Sequence, residues 1–201
     1  MGAFSYSGQI CISVQRVYVH GKIFDEWTNK FVENAKKLKI GNPLDEATEL
    51  SAMIDEDAAK KAEKMINEAV ENGAQLLAGG KRDKSFLEAT VLTKTSPEMR
   101  VVSEEAFAPV AVVEKFTDFQ EAIESANHTK YGLQAGVFTQ NLANVQTAAR
   151  ELEYGSVIIN DVPTFRVDNM PYGGAKDSGF GREGVCYAME EMSEIRLIVI
   201  N

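Results

Sequence analysis

The sequence predicts an α/β fold: a mostly parallel sheet with helices on both faces. Three observations carry the prediction. From residue 109 onward, apolar β-branched runs (109–116, 133–139, 155–160) alternate with helical stripes (118–126, 142–152), the order that crossovers in a parallel sheet require. The strand runs, such as Ser156-Val157-Ile158-Ile159, are almost continuously apolar, which suits strands buried on both faces. Apolar content of 44% and charged content of 25% over 201 residues are enough to build and bury a core.

Taken in order, residues 2–9 are mixed and too few for an element. Residues 14–20 alternate, with Val17 and Val19 on one face and Arg16, Tyr18 and His20 on the other, the period of a strand. Over 23–38, Phe24, Trp27, Phe31, Ala35 and Leu38 form one helical stripe. Lys36, Lys37 and Lys39 sit near its negative pole. Gly41-Asn42-Pro43 stops it, and a polar connector runs to Ser51. Asp55 is positioned to cap a second helix, whose stripe is Ala58, Ala62, Met65, Ile66, Ala69 and Val70 and whose end is Asn72-Gly73. Residues 75–78 and 86–92 read as strands around a Gly79-Gly80-Lys81 turn, and 97–104 as a helical turn. After the regular alternation comes 161–181, a long irregular segment. Loops of that length are functional or disordered, and Pro163, Phe165, Arg166, Pro171 and Tyr172 make this one more rigid and aromatic than a linker. A helix over 182–192, with Cys186 read as packing, and a strand over 194–201 through Ile195, Leu197 and Val199 close the chain.

Composition excludes several classes. A net charge of −9 argues against nucleic acid or an anionic membrane as partner. No apolar run is long enough to cross a bilayer, and the start is not signal-like. Two cysteines without a disulfide framework suit a reducing, cytoplasmic setting. Cys11, Cys186, His20 and His128 lack the paired spacing of metal ligands, so no metal site is expected.

Cys11 stands between Ile10 and Ile12, just ahead of the strand at 14–20. A thiol at a sheet edge is a candidate nucleophile, because such an edge holds a side chain rigidly at a cleft. A lone cysteine among isoleucines is otherwise small core packing. Ligands of parallel sheets bind beyond the carboxyl ends of the strands, and Asn160 with the loop after it lies at such an end. Four stretches stand in order along the chain: Gly8-Gln9-Ile10-Cys11, Glu104-Glu105-Ala106-Phe107-Ala108-Pro109, Tyr131-Gly132-Leu133-Gln134-Ala135-Gly136-Val137-Phe138-Thr139, and Pro171-Tyr172-Gly173-Gly174-Ala175-Lys176-Asp177-Ser178-Gly179-Phe180-Gly181-Arg182-Glu183. In this order and at these separations they resemble the C-terminal, catalytic part of the aldehyde dehydrogenase superfamily. The resemblance covers essentially the whole chain.

The resemblance implies a Rossmann-like three-layer catalytic domain over residues 1–193 and a C-terminal oligomerisation strand over 194–201, hence a homo-oligomer. It implies oxidation of a small aldehyde to a carboxylic acid with NAD or NADP. Cys11 matches the family nucleophile, passing through a thiohemiacetal and a thioester. Sulfur suits this because a thiolate both attacks strongly and leaves readily. The backbone N–H of Cys11 is the donor to the oxyanion that this chain supplies. Glu105 matches the carboxylate that accepts from the nicotinamide ribose hydroxyls; outside that context Glu104-Glu105 is a solvated acidic pair. Phe107 matches the aromatic against the nicotinamide, and is otherwise core. Ile10, Ile12, Phe165, Arg166 and Tyr172 line the implied substrate site. Arg166 either attracts an anionic aldehyde or pairs with Asp161 or Asp168. Ser178 and Arg182 read as structural. No Gly-x-Gly-x-x-Gly cradle precedes Cys11. The family's N-terminal cofactor-binding domain, with its glutamate base and oxyanion asparagine, is therefore expected to be absent from this chain, and the chain alone inactive. Two other readings stand beside this one: a cysteine hydrolase pairing Cys11 with His20 or His128, and a non-catalytic assembly module.

Overall fold

The structure, a computed structural model, describes residues 2–201. Its contacts divide the chain into two compact units, Met1–Thr129 and Lys130–Asn201, where the sequence alone suggests one domain over 1–193.

The first unit opens on a 3-10 turn, Ser5–Gly8. Then follow β1 (Arg16–His20), α1 (Phe24–Lys37), α2 (Glu56–Glu71), β2 (Gln75–Ala78), β3 (Arg82–Asp83), β4 (Phe86–Leu87), β5 (Thr90–Thr93), α3 (Arg100–Ser103), β6 (Val110–Phe116) and α4 (Phe119–Asn127). The main sheet has the order β1-β6-β5-β2. β1 and β5 both run parallel to β6, with Arg16 and Thr90 opposite Val112 and Val110; β2 is antiparallel. β6 is central because both of its faces are apolar. Val110 and Val112 pack with Ala62, Met65 and Ile66 of α2, while Ala111 and Val113 pack with Trp27, Phe31 and Ala35 of α1. Val17 and Val19 both join the α1 side, as their alternation predicts. The fold class is thus a mixed sheet with parallel strands flanked by helices. Asp55 caps α2, accepting from the Ala58 N–H at 2.7 Å. The strand expected over 86–92 is two: β4 folds back on β3, whereas β5 enters the main sheet, where the Thr90 N–H donates to Pro109 at 2.8 Å.

The second unit contains β7 (Tyr131–Gly132), β8 (Gln134–Val137), α5 (Leu142–Glu151), β9 (Ser156–Ile159), β10 (Ala175–Lys176) and α6 (Val185–Glu191). β8 and β9 are parallel, with Gln134 opposite Ser156, and β10 pairs antiparallel with β7. The irregular segment after β9 is held by β10 and by a bridge between Tyr172 and Glu183. That bridge delays the last helix. Glu183 still donates to Tyr172, so α6 starts at Val185 rather than at 182. α6 buries none of its residues, so Cys186 is exposed rather than packed. The oligomerisation strand expected over 194–201 is not a strand in the structure. A strand exists only through a paired edge. Here Ile195 and Leu197 are 104% and 85% exposed, and no ladder reaches them among the described residues. Among the described residues, no helix is long and apolar enough to cross a membrane.

Candidate active site

Cys11 lies in an exposed turn ahead of β1. The turn closes through the Ser13 N–H, which donates to Ile10 at 3.0 Å. Just upstream, Tyr6, Ser7 and Gly8 are all left-handed, with φ of 51°, 56° and 69°. For Tyr6 and Ser7 this costs about 1–3 kcal/mol each, so it persists only where the surroundings over-determine it. They do so here. The Ser7 hydroxyl donates to the Ser51 carbonyl at 2.7 Å and accepts from the Ser51 N–H at 3.2 Å. Gln9 Oε1 accepts from the Ile54 N–H at 2.8 Å. Gly8 lies so close to the next loop that a Cβ there would run into the Ala108 carbonyl.

That next loop carries the second set of candidates. The Gln15 side chain splints it: Nε2 donates to the carbonyls of Val101 at 2.9 Å and Glu104 at 2.7 Å, and Oε1 accepts from the Ala106 N–H at 3.0 Å. Ala106 is buried, and its neighbours Glu105 and Phe107 point out. Phe107, 43% exposed, is held at φ 47° and is not core. The acidic pair is sorted by geometry. Both carboxylate oxygens of Glu104 accept from Arg100, at 3.0 and 3.1 Å, while Glu105 makes no salt bridge among the described residues. The ties through Gly8 and Gln15 thus bring the Cys11 turn beside the loop of Glu105 and Phe107, all three exposed. An outward carboxylate next to an outward aromatic face on a splinted loop fits a ribose diol and a nicotinamide ring.

Of the expected substrate residues, Ile10 and Ile12 are half-buried beside Cys11, and the other three cluster in the second unit. The Arg166 guanidinium lies 4.5 Å from the Tyr172 ring centroid and pairs with Glu183 at 3.2 Å, not with Asp161 or Asp168. Tyr172 is buried at 7% exposure and Phe165 is 44% exposed. Asn160 is left-handed at φ 60°, and its Oδ1 accepts from the Thr139 N–H at 2.9 Å, closing the ends of β8 and β9. Ser178 and Arg182 bond backbone: the Ser178 hydroxyl accepts from the Gly132 N–H at 2.8 Å, and Arg182 donates to the Gly174 carbonyl at 3.0 Å. The role of Gln15 escapes the sequence reading, because a lone amide carries no local signal.

The remaining candidates lead elsewhere. His20 accepts from the Lys22 N–H through Nδ1 at 3.1 Å and meets Phe116 edge-on at 5.3 Å. His128 follows the end of α4. Among the described residues, no three His, Cys, Asp or Glu side chains form a group able to hold a metal. Two shallow concavities, of about 350 Å³ along α2 and about 180 Å³ beside Arg16 and Glu114, include none of Cys11, Glu105 and Phe107.

Residues 1–198 match the sequence profile of the "Aldehyde dehydrogenase family". The chain is 50% identical over 200 residues to a lactaldehyde dehydrogenase of Methanococcus aeolicus, covering 100% of this chain and 43% of that protein. It is 47% identical over 199 residues to a 3-sulfolactaldehyde dehydrogenase of Priestia aryabhattai, covering 99% and 42%. Among solved structures, the glyceraldehyde-3-phosphate dehydrogenase GapN of Methanocaldococcus jannaschii, complexed with NADP, superposes with a TM-score of 0.95 at 45% identity, covering 99% of this chain and 43% of that one. The chain therefore spans about two fifths of the length of these relatives.

Proposed function

This chain belongs to the aldehyde dehydrogenase family, and on that premise we propose that it carries the nucleophile of an NAD(P)-dependent enzyme that oxidises a short 2-hydroxyaldehyde to the acid. The observation that carries this reading is the pairing of an exposed Cys11 turn with a splinted loop whose Glu105 and Phe107 face outward.

In this reading the Cys11 thiolate bonds to the aldehyde carbon, and the carbonyl π pair moves onto oxygen to give a thiohemiacetal oxyanion. The Cys11 backbone N–H donates to that oxygen. Nicotinamide, when bound, accepts the hydride from the same carbon. The oxyanion pair then re-forms the carbonyl, leaving a thioester on Cys11. Water, giving one proton to the glutamate base of the family's cofactor-binding domain, adds to the acyl carbon, and the sulfur departs as thiolate with release of the acid. The two oxygens of Glu105 accept from the ribose diol, and Phe107 packs against the ring. Glu104 is committed to Arg100, which favours Glu105 for this task. Membership of the family supersedes the cysteine-hydrolase reading.

Lactaldehyde, 3-sulfolactaldehyde and glyceraldehyde 3-phosphate, the compounds in the names of the three relatives, share a hydroxyl next to the aldehyde carbon, and two bear an anion on the third carbon. That supports a 2-hydroxyaldehyde substrate, with Arg166 as the group that meets an anion where one is present. Self-association through the alternating apolar residues of 194–201, and residence in a reducing cytoplasm, belong to the same reading.

Selective alkylation tests it. Cys11 and Cys186 are both exposed, so exposure alone predicts equal iodoacetamide labelling. The expected result is faster labelling of Cys11, by about tenfold or more as for an activated thiol, slowed by lactaldehyde at Cys11 alone. Equal rates without aldehyde protection would overturn the assignment.

A further inference from the structure

We propose that Gln134 is a positioning residue for substrate recognition: its side-chain amide bolts the loop after β9 to β8 and so fixes where Phe165 and Arg166 stand. The proposal rests on the functional reading above only for the claim that those two residues meet substrate.

The bolt has two parts on one face of one strand. Gln134 is 9% exposed, and its Nε2 donates to the Pro163 carbonyl at 2.5 Å and to the Phe165 carbonyl at 3.2 Å. Two residues on, and therefore on the same face, Gly136 lets the same loop lie flat against the strand. A Cβ there would come within 2.6 Å of the Asp161 oxygen and 2.8 Å of Pro163 Cδ. The clamped carbonyl belongs to Phe165, and the next residue is Arg166, which stacks on Tyr172 and pairs with Glu183. One amide thus holds the backbone immediately before the recognition side chain.

The chemistry of the residue fits this task. Two carbonyls turned into the protein need donors, because an unmet buried acceptor is costly. An NH₂ group serves both at once, which a hydroxyl or an apolar side chain does not. Gln134 Oε1 meets no donor among the described residues, so the amide acts here through its nitrogen. A recognition group displaced by about 1 Å can cost a large factor in rate, so a loop with little regular structure needs such a tie.

The test compares wild-type protein with Gln134→Met, which keeps the length and loses the donors, and with Gln134→Glu, which turns a third acceptor toward the two carbonyls. Gly136→Ala displaces the same loop by contact instead and serves as the independent variant if a Gln134 variant does not fold. Amide exchange is read over residues 162–170 in the free protein. KM and kcat are read for lactaldehyde and glyceraldehyde 3-phosphate with the nicotinamide cofactor present, in protein where this chain is joined to a cofactor-binding domain of the family. The expected result is exchange over 162–170 faster by about tenfold, the scale of losing two hydrogen bonds, with unchanged exchange in β5 and β6. KM is expected to rise by about tenfold, to different extents for the two aldehydes, and kcat to fall by less than KM rises. Unchanged loop exchange overturns the proposal, as does a loosened loop with both KM values unmoved. If the wild-type sequence oxidises neither aldehyde when joined to a cofactor-binding domain of the family, the functional reading fails, and the exchange result alone decides whether Gln134 holds the loop.

Discussion

Tyr6, Ser7 and Gly8 turn left-handed in succession just before the candidate nucleophile, and Ser7 and Gly8 are held by partners distant in sequence, Ser51 and Ala108. Gly8 is the least replaceable. Its φ of 69° is strained for any residue with a Cβ, by about 1–2 kcal/mol, and the Ala108 carbonyl already occupies the space a Cβ would need. Gly8→Ala is expected to destabilise the first unit by at least about 2 kcal/mol and to abolish the labelling preference of Cys11 over Cys186. Denaturant unfolding and peptide mass mapping of the alkylated protein read the two effects; a variant equal to wild type in both would show that the close approach to Ala108 does not position the turn. A neighbouring choice is also made by single side chains. Arg100 takes Glu104 with a two-pronged contact and also meets Glu68 at 3.1 Å, so the outward carboxylate of the pair is Glu105.

Helix starts show how local chemistry sets an element's boundary. Asp118 caps α4 by accepting from the Gln120 N–H at 2.8 Å. In the first turn, Glu121 accepts from the Thr117 N–H and hydroxyl, each at 3.2 Å. Hydrogen bonds from the backbone of Thr117 and then of Asp118 hold the Glu121 carboxyl below its ordinary value of 4.5. A carboxyl lowered on folding adds stability that is complete above the unfolded value and is lost as pH falls through the lowered folded one. The stability difference between wild type and Glu121→Gln should therefore be constant above pH 4.5 and shrink below it. Urea unfolding across that range measures it, and a gap that holds its size in acid would rule out this carboxylate as the source. The end of the chain behaves differently. Residues 194–201 alternate like a strand, yet no edge among the described residues receives them, and periodicity without a ladder does not make a strand.

At the scale of the molecule, burial is unevenly shared. In the first unit Val91, Ala111 and Val113 are at 0% exposure, and apolar clusters line both faces of the sheet. In the second, the buried apolar residues are Ala148, Leu152 and Tyr172, and α6 contributes none. Regions with few buried apolar contacts open at lower free energy. Amides of β8 and β9 are therefore expected to exchange faster than those of β5 and β6, by about tenfold or more. Equal protection in the two units would mean that they unfold as one cooperative body.

The helices, the buried strands and the cap at Asp55 were legible in the amino-acid order. Helical and strand periodicity, and the reach of a capping side chain to its own first turn, are local properties written within a few residues. Cys11, Glu105 and Phe107 were legible as a family pattern, and their exposure is a result of folding. What only the tertiary structure decided are the ties between distant positions: Gln15 to Ala106, 91 residues apart, Ser7 to Ser51, 44 apart, and Arg166 to Glu183, 17 apart. It also decided that Glu104 is occupied and that residues 194–201 are unladdered. Such contacts depend on which surfaces the packed sheet brings face to face, and no window of neighbouring residues contains that information.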